Sequence, residues 1–514
     1  MPGGTVNLGF MGRETMARAP ERPAIIDIIG GEVRKLSYGA LDRRLDRVAA
    51  SLQGLGLEVG DRFMLCVSNR AEFVEIAMGA MRAGIVPVPI NTRLGADIVD
   101  FILRDSACVA AFVEPASNAF AVAAVERAGI STRVAVAASV PGWRDYEALL
   151  AAAGDFRAPG VGGDHPVMQP YTSGSTGKPK GVILTHAGQA ANLRAVIRRF
   201  TKTFVPGARA LTANPLYHKN AFSGVVKPML AVGGSMVIMN QFDPRKFIEN
   251  LAEFRCTYTI TVPTVYALLL QQRDLIERLK FPDLTALMVG SAPCPASLLE
   301  AVRKAFGVHV WEGYGLTEGG PVVLAPHMDR PPPPYGSCGT PLDGCEAKLL
   351  DDQGREHASL GELWVRQPGV TPGYHNLPEV NRARLVDGWL KTGDIFYRDP
   401  DGNFFFRGRT DDMFVCGGEN VYPIEVESLL LRHPAVANVC VVPVPHATKG
   451  EAPAAMVVAR GPVDEDALKR FCLDNGPAYS HPRHVVFAEA LPLSGAGKID
   501  RAAVKAAILE TLAR

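Results

Sequence analysis

Residues 171–182 form a stretch whose side chains are suited to holding phosphate, with the sequence YTSGSTGKPKGV. Glycine allows backbone conformations that other residues avoid and lets the chain approach a ligand closely. Hydroxyl and free backbone N–H groups donate hydrogen bonds to phosphate oxygens, and lysine side chains balance phosphate charge. We therefore predict a polyphosphate-binding loop. Its expected contacts are Thr172, Ser173, Gly174, Ser175, Thr176, Gly177, Lys178 and Lys180.

The loop has two other interpretations. A flexible linker rich in glycine and serine rarely carries two lysines on either side of a proline, so a linker is the weaker interpretation. In a Walker-type phosphate loop, the lysine is followed by a serine or threonine that binds Mg²⁺. Here Lys178 follows Gly177, but Pro179 occupies the next position. The missing hydroxyl argues against a nucleoside triphosphatase of the Walker type.

A second candidate binding stretch lies at residues 311–318, with the sequence WEGYGLTE. Tyr314 offers an aromatic face on which a base can stack, and the glycines beside it permit close approach. Thr317 can donate a hydrogen bond to a phosphate oxygen, and Glu318 can bind Mg²⁺, a cation that prefers oxygen ligands. A glutamate taken alone is more often a solvated surface carboxylate. The metal role therefore depends on the whole motif.

Other stretches of small and polar residues follow apolar runs. Residues 214–222 read NPLYHKNAF, and His218 taken alone is more typical of a hydrogen-bonded structural residue than of a catalyst. Residues 287–293 read LMVGSAP, which predicts a buried strand that runs into a tight turn. Residues 389–394 read WLKTGD. The Asp394 carboxylate has two oxygens, enough to accept hydrogen bonds from both hydroxyls of a vicinal diol.

In this order, the motifs resemble those of the adenylate-forming, or AMP-binding, superfamily: acyl-CoA synthetases, luciferases and the adenylation domains of peptide synthetases. The phosphate loop, the YGxTE motif at Tyr314–Glu318, the TGD motif ending at Asp394 and the Gly-Lys pair ending at Lys498 carry the resemblance. It covers most of the chain and favours the acyl-CoA synthetase, or acid–CoA ligase, branch. Leu493 and Ala496 depart from the family pattern but leave the Gly-Lys pair intact.

The resemblance implies a role for each matching position. Nucleotide contacts are expected from Gly290, Ser291, Ala292, Glu312, Gly313, Tyr314, Gly315, Thr317, Asp394 and Arg409. The acyl pocket is expected to include Tyr217, His218, Asn220, Val262, Gly290 and Gly319. The expected catalytic residues are Lys498, Glu318 and Thr317, with Glu318 as the metal ligand. The residues expected to face coenzyme A are Gly417, Gly418, Glu419 and Asn420, and the expected hinge residue is Asp411.

The composition is that of an enzyme with more than one domain. The chain has 514 residues, too many for one hydrophobic core, and its 47% hydrophobic and 21% charged content is ordinary for a soluble protein. The formal net charge of +1 argues against a dedicated nucleic-acid or membrane-surface binder. Nine cysteines without a CxxC pair favour reduced thiols and a cytoplasmic location. The sequence shows neither an apolar signal core near residue 1 nor an uninterrupted membrane span.

Alternating apolar runs predict an α/β fold. Leu41, Leu45, Val48 and Leu52 recur three or four residues apart, which predicts a helix over 38–54. A second helix is predicted at 72–83, with short strands at 63–67, 85–90 and 108–113. Strands that alternate with helices predict a parallel or mixed sheet covered on both faces.

We expect a large domain and a small one, joined by a hinge. The large N-terminal domain spans 1–408, has several subdomains with mixed sheets covered by helices, and includes the phosphate loop at 171–182 and a β-rich subdomain at about 335–408. The hinge is predicted at 409–411, and a small, mobile α+β domain that carries Lys498 at 412–514. Within that domain, helices are predicted at 425–433 and 464–472, and strands at 436–442 and 454–459.

The expected reaction joins a small-molecule carboxylic acid to a thiol. A carboxylate resists attack by a thiol because its charge repels nucleophiles and oxide is a poor leaving group. Attack of the carboxylate on the α-phosphorus of ATP releases pyrophosphate and gives an acyl-AMP. Coenzyme A then forms the acyl-CoA thioester and releases AMP. Mg²⁺ on Glu318, the loop around 173–180 and Lys498 would neutralise the developing charge.

Three other functions share these motifs. A stand-alone adenylation enzyme would load a separate carrier protein, and a luciferase-like oxygenase would differ in details of its pocket. A non-catalytic nucleotide-binding protein would not need both Glu318 and Lys498, so their presence argues against it. For the ligase we expect a cytoplasmic monomer or homodimer without a nucleic-acid partner.

The first testable prediction concerns Lys498. Lys498→Ala should lower the rate of acyl-AMP formation by roughly 10²- to 10³-fold, the scale for losing one transition-state charge contact. Acyl-AMP supplied ready-made should still react with coenzyme A, because that step does not involve the α-phosphorus of ATP. The two half-reactions are measured separately, and an equal loss in both contradicts the assignment.

Overall fold

The computed structural model describes residues 7–172, 178–493 and 499–513. Residue contacts divide the chain into two compact units. The first consists of Met1–Cys294, Leu298–Ala347 and Trp364–Lys391, and the second of Pro295–Ser297, Lys348–Leu363 and Thr392–Arg514. The predicted hinge at 409–411 falls inside the second unit, and the domain boundaries and the mobility of the small domain remain predictions.

A seven-stranded sheet runs through the first unit. In order across the sheet, its strands are Val310–Glu312, Ala286–Val289, Tyr258–Thr261, Arg209–Thr212, Ser235–Met239, Pro23–Ile29 and Glu32–Ser37. The last two pair antiparallel, and all other neighbours pair parallel. All residues of Ala286–Val289 and of Ser235–Met239 are buried, as expected for parallel strands covered on both faces.

A second sheet in this unit has five parallel strands. Their order is Val86–Pro89, Arg62–Cys66, Ala110–Val113, Thr132–Ala135 and Arg144–Asp145. Three of them were predicted, and their ends differ from the prediction by at most two residues. The strand with Pro87 and Pro89 lies at the sheet edge, where a residue without an N–H group is tolerated. Together, the two sheets confirm the predicted α/β fold.

Helices cover these sheets. The predicted helix Tyr38–Gly54 is observed with the same ends, and its four predicted core residues are 0–1% exposed. Thr185 caps the helix His186–Arg199 by accepting a hydrogen bond from the Gly188 N–H group. The other α-helices before residue 385 are Arg13–Arg18, Ala71–Arg82, Ala96–Ser106, Ala121–Arg127, Tyr146–Ala151, Lys219–Ala221, Lys227–Val232, Pro244–Glu253, Pro263–Leu270, Arg273–Arg278, Ala296–Phe306 and Pro378–Arg384.

Short strands complete the first unit. Three antiparallel pairs are Tyr171–Thr172 with Lys180–Gly181, Pro166–Met168 with Leu184–Thr185, and Leu324–Ala325 with Thr340–Pro341. Of the later strands before residue 410, Leu385–Val386 also lies in the first unit and Phe404–Arg409 lies in the second. The strands Glu346–Leu350, Leu360–Arg366 and Trp389–Arg398 contain residues of both units. The 3₁₀ turns are Leu8–Phe10, Pro115–Ser117 and Thr317–Gly319, and a π-helical turn is Phe222–Val226.

The second unit contains an α+β fold, as predicted for the C-terminal part of the chain. Its five-stranded sheet contains Glu419–Val421, Phe414–Cys416, Gly450–Ala459, Val436–His446 and His484–Phe487. Its helices are Pro423–Leu430, Glu465–Asn475 and Arg501–Leu512. The strand predicted to end at Val442 continues to His446 through Pro443 and Pro445. No helix in the described part of the chain combines the length and apolar content needed to cross a bilayer.

Candidate active site

Ten of the predicted binding residues of the first unit follow the carboxyl ends of four neighbouring parallel strands. In sheet order these residues are Gly313, Tyr314 and Gly315 after Val310–Glu312; Gly290, Ser291 and Ala292 after Ala286–Val289; Val262 after Tyr258–Thr261; and Tyr217, His218 and Asn220 after Arg209–Thr212. The carboxyl ends of parallel strands in an open α/β sheet are where ligands bind in such folds. The sheet order therefore brings together residues that lie up to 98 positions apart, from Tyr217 to Gly315.

Hydrogen bonds join three of these strand ends. The Asn220 side chain is buried, and its Nδ2 donates to Ser291 Oγ at 3.3 Å. The Lys219 Nζ donates to the Gly315 carbonyl oxygen. His218 begins this short helix, where its Nδ1 accepts the Asn220 N–H group at 3.3 Å. The predicted acyl-pocket residue Asn220 thus contacts the predicted nucleotide residue Ser291 directly. Its neighbour Lys219 contacts the predicted nucleotide residue Gly315, and His218 contacts Asn220.

Three glycines differ in the space around them. A Cβ atom added to Gly290 would meet no atom within 4 Å, so Gly290 borders open space. A Cβ atom on Gly315 would lie 1.9 Å from the Pro321 carbonyl oxygen, so this position requires glycine. A Cβ atom on Gly319 would lie 2.5 Å from the Leu316 side chain. The packing within its own turn therefore leaves no room for a side chain at position 319.

The Glu318 carboxylate is the centre of a polar cluster. Glu318 lies in the turn Thr317–Gly319, and its Oε1 accepts hydrogen bonds from the Thr172 hydroxyl at 3.3 Å and the Tyr374 hydroxyl at 3.1 Å. Thr172 pairs with Lys180 across the short antiparallel strands that flank the phosphate loop. The Lys180 Nζ lies 6.0 Å from the centre of the Tyr374 ring, within reach of a cation–π interaction.

The remaining loop residues are placed as follows. Lys178 is exposed, and its Nζ lies 5.7 Å from the centre of the Phe101 ring. Five predicted phosphate contacts lie outside the described residues: Ser173, Gly174, Ser175, Thr176 and Gly177. Of the two lysines in the described ends of the loop, Lys180 lies near Tyr374, whose hydroxyl donates to the Glu318 carboxylate.

The cluster fits a magnesium ion bound together with nucleotide phosphates. Mg²⁺ prefers oxygen ligands and is often held by one or two carboxylates plus substrate phosphates. Glu318 supplies a carboxylate and Thr172 a hydroxyl at this place. In the described ranges, no group of three or more His, Cys, Asp and Glu side chains has the arrangement of a metal site. Among the residues that the structure describes, this place thus offers the ion the Glu318 carboxylate rather than a complete cage.

Glu312 is a half-buried carboxyl at the end of its strand. Its Oε2 accepts the Gly336 N–H group at 2.8 Å. Partial burial raises the pKa of Glu312 from 4.5 to about 7, and the Gly336 hydrogen bond offsets part of that rise. This carboxyl therefore holds its proton to a higher pH than an ordinary glutamate does.

The predicted residues of the second unit form two groups. Arg409 lies 3.5 Å from the Asp394 carboxylate, so the two predicted ribose contacts are neighbours. Gly417 and Gly418 form a turn with φ values of 62° and 93°, which favour glycine. The exposed residues next to that turn are Glu419 and Asn420, and Asp411 is exposed in a separate turn. Lys498 lies outside the described residues.

Sequence reasoning missed Tyr374 and Thr371. The Thr371 N–H group donates to the Glu318 carbonyl oxygen at 2.8 Å, and the Tyr374 hydroxyl donates to its carboxylate. Both belong to the stretch TPGY, more than fifty positions after Glu318. An aromatic residue directly after Pro-Gly is the signal that could have indicated this contact.

Comparisons with known proteins agree with this geometry. Residues 12–375 match the sequence profile of the AMP-binding enzyme family, and residues 425–498 match that of the AMP-binding enzyme C-terminal domain. The chain belongs to the AMP-binding enzyme family. It is an AMP-forming acid–CoA ligase that uses ATP, Mg²⁺ and coenzyme A, as predicted.

Two curated relatives and one solved structure illustrate the similarity. The chain is 33% identical to the long-chain-fatty-acid–CoA ligase FadD13 of Mycobacterium tuberculosis, over 96% of this chain and 97% of the relative. It is 34% identical to a feruloyl-CoA synthase of Amycolatopsis sp, over 91% and 93% of the two chains. The structure of ATP-bound MatB from Rhodopseudomonas palustris has a TM-score of 0.88 at 28% identity, covering 98% of this chain and 99% of that one.

Removal of the Tyr374 hydroxyl tests the polar cluster. Tyr374→Phe should weaken MgATP binding and lower acyl-AMP formation by roughly 10-fold or more, because a hydrogen bond to a charged group contributes about 1.5–3 kcal/mol. Tyr38→Phe is the matched control, since Tyr38 is also buried in the first unit and donates to backbone carbonyls. Equal losses of activity in both variants would show only a general effect on stability.

A pH experiment tests Glu312. Between pH 4.5 and about 7, the folded protein holds a proton on Glu312 that the unfolded chain has released. The free energy of unfolding should therefore fall as the pH rises through this range. Glu312→Gln keeps an acceptor for the Gly336 N–H group and removes the titration. Urea unfolding of the ligand-free proteins should show the wild type losing stability relative to the variant as pH rises; a constant difference would contradict the raised pKa.

Proposed function

We propose that the polar cluster around Glu318 activates the carboxylic acid substrate of this ligase by bringing it together with the phosphates of ATP. The observation that carries the proposal is the Glu318 carboxylate, which accepts hydrogen bonds from Thr172, at the start of the phosphate loop, and from Tyr374. Two donors on one carboxylate oxygen fix its orientation. Such a carboxylate is ready to bind a divalent cation.

The phosphate end of the site is proposed to work by charge and orientation. When bound, Mg²⁺ supplies positive charge that stabilises the phosphate oxygens during the reaction. Glu318 holds that ion, and Thr317 donates to a phosphate oxygen from the same turn. The lysines and backbone N–H groups of the loop 173–180 bind the pyrophosphate that leaves. Preorganised donors of this kind lower the barrier because they need no rearrangement as charge develops.

The acyl end of the site is proposed to lie beside Gly290, where the structure has open space next to the strand end. Tyr217, His218, Asn220, Val262 and Gly319 are the other proposed pocket residues. This mixture of aromatic, amide and small side chains suits a mid-sized apolar, branched or aromatic acid better than a strongly charged one. A relative named for feruloyl-CoA supports the aromatic choice. A panel of carboxylates, assayed for AMP formation that depends on coenzyme A, tests it.

Residues of the second unit are proposed for the remaining contacts. Asp394 has two carboxylate oxygens for the ribose hydroxyls, and Arg409 lies 3.5 Å from that carboxylate. The Gly417–Asn420 turn is proposed to face coenzyme A, because a Cβ atom on Gly418 would meet no atom within 4 Å. Lys498 is proposed as the adenylation lysine and Asp411 as the hinge.

The cellular context is proposed from composition. All nine cysteines are free thiols, which fits a reducing compartment such as the cytoplasm. The net charge of +1 gives no electrostatic reason to expect a nucleic-acid partner. We propose a monomer or a homodimer, which the sedimentation coefficient of the purified protein would distinguish.

Glu318→Gln tests the proposed metal role. The amide oxygen still accepts hydrogen bonds from Thr172 and Tyr374, so the fold should persist, but the charge that binds the cation is lost. Acyl-AMP formation should fall by roughly 10²-fold, and the Mg²⁺ concentration needed for half-maximal rate should rise. The measurement is pyrophosphate release over a range of Mg²⁺ concentrations. Unchanged Mg²⁺ dependence would remove Glu318 from the site.

A further inference from the structure

The backbone just after Glu318 is held by side chains from the helix His186–Arg199. The Gln189 amide Nε2 donates to the Gly320 carbonyl oxygen at 3.1 Å. One turn further along the helix, the Asn192 amide Nδ2 donates to the Val322 carbonyl oxygen at 2.7 Å. Gln189 and Asn192 are only 2% and 3% exposed. Their hydrogen bonds therefore lie away from water, where the loss of a partner is costly.

The same backbone is held by a third carboxamide. The Gln367 Nε2 donates to the Gly319 carbonyl oxygen and, at 3.0 Å, to the Val322 carbonyl oxygen. Gln367 Oε1 accepts a hydrogen bond from Asn192 Nδ2 at 3.1 Å. We call Gln189, Asn192 and Gln367 the carboxamide clamp. Its members donate hydrogen bonds to the carbonyl oxygens of Gly319, Gly320 and Val322.

Close packing shows that the clamp leaves the turn little freedom. Gly320 has φ 128°, and a Cβ atom there would lie 2.9 Å from Gln367 Nε2 and 3.2 Å from Asn192 Nδ2. A Cβ atom on Gly188 would lie 2.6 Å from the Pro368 carbonyl oxygen. The helix and the segment that carries Gln367 thus approach each other closely, and the turn after Glu318 is confined by both.

A buried lysine fixes one member of the clamp. Lys227 is 6% exposed, and its Nζ donates to Gln189 Oε1. Burial lowers the pKa of Lys227 to about 7. Because the Gln189 oxygen accepts from Lys227, its Nε2 has to point toward Gly320. The lysine therefore sets which end of the amide faces the turn.

We propose that the carboxamide clamp is a set of positioning residues that hold the backbone of residues 319–322 and thereby fix the Glu318 carboxylate for binding of MgATP. The Glu318 carbonyl oxygen accepts a hydrogen bond from the Thr371 N–H group, and the clamp forms the corresponding hydrogen bonds with the residues that follow Glu318. When a carboxylate must bind a cation next to the phosphates, the enzyme loses activity if the backbone that carries the carboxylate shifts by a fraction of a bond length. The inference rests on the proposed function of Glu318.

Gln367→Met tests the clamp. Methionine has a similar volume and no N–H donors, so the Gly319 carbonyl loses its side-chain partner. ATP binding in the presence of Mg²⁺, measured by equilibrium dialysis, should weaken roughly 10-fold, and acyl-AMP formation should fall by roughly 10- to 10²-fold. Conversion of supplied acyl-AMP by coenzyme A should change little. Gln53→Met is the matched control, because Gln53 is similarly half-buried and donates to the Arg157 carbonyl oxygen at 2.8 Å.

A second variant covers the case in which Gln367→Met does not fold. Gln189→Met combined with Lys227→Met removes a hydrogen-bonded pair together, which is tolerated better than the loss of one partner. The double variant should also weaken MgATP binding, because the Gly320 carbonyl loses its donor. If both sets of variants bind MgATP as the wild type does, the clamp does not position Glu318.

Combination with Glu318→Gln separates positioning from general destabilisation. If the clamp acts through the carboxylate, Gln367→Met should weaken MgATP binding no further in the Glu318→Gln protein. An additive loss would overturn the inference, because the clamp would then act independently of Glu318. If Glu318→Gln alone leaves binding and Mg²⁺ dependence unchanged, the proposed function of Glu318 is the part that fails. The two failures are therefore distinguishable.

Discussion

Parallel pairing of four adjacent strands places their carboxyl ends side by side along one edge of the seven-stranded sheet. The residues proposed to contact the acyl group or the base in the first unit lie at a strand end of that edge or within eight residues after it. The strands themselves are short and mostly buried, so packing on both faces fixes their register, and the connections supply most of the predicted site residues. Chemistry at this edge thus depends on the sheet order.

Hydrogen bonds to backbone carbonyl oxygens hold the segments that follow these strands in place. Lys219 donates to the Gly315 carbonyl, Thr371 to that of Glu318, and Gln189 to that of Gly320. A loop held in this way has its own polar groups satisfied and keeps its remaining side chains free to face a ligand. Glycine at position 315 is part of the same arrangement, since any larger residue would collide with a carbonyl oxygen.

Local features of the fold were readable from the sequence because they depend on neighbouring residues. The helix Tyr38–Gly54 follows from apolar spacing alone, and its observed ends are the predicted ones. The parallel pairing of Pro23–Ile29 with Ser235–Met239 joins segments about two hundred residues apart and has no local signal. For the same reason, the motif at Tyr314–Glu318 indicated a nucleotide site, while the Tyr374 contact with Glu318 appeared only in three dimensions.

The proposed positioning of Glu318 follows from the small number of charges in the cluster around it. Within the described residues, this site offers a divalent cation one carboxylate and a hydroxyl, and the rest of its ligands must be phosphate oxygens and water. A complete protein cage would hold the ion by charge, and would tolerate a small shift of one ligand. With a single carboxylate, no other protein carboxylate can hold the ion if that one shifts. The direction of the carboxylate therefore has to be set by the backbone that carries it. Neutral amides suit that task better than further acids or bases, because they fix the backbone without adding a charge that competes for the cation or repels the phosphates.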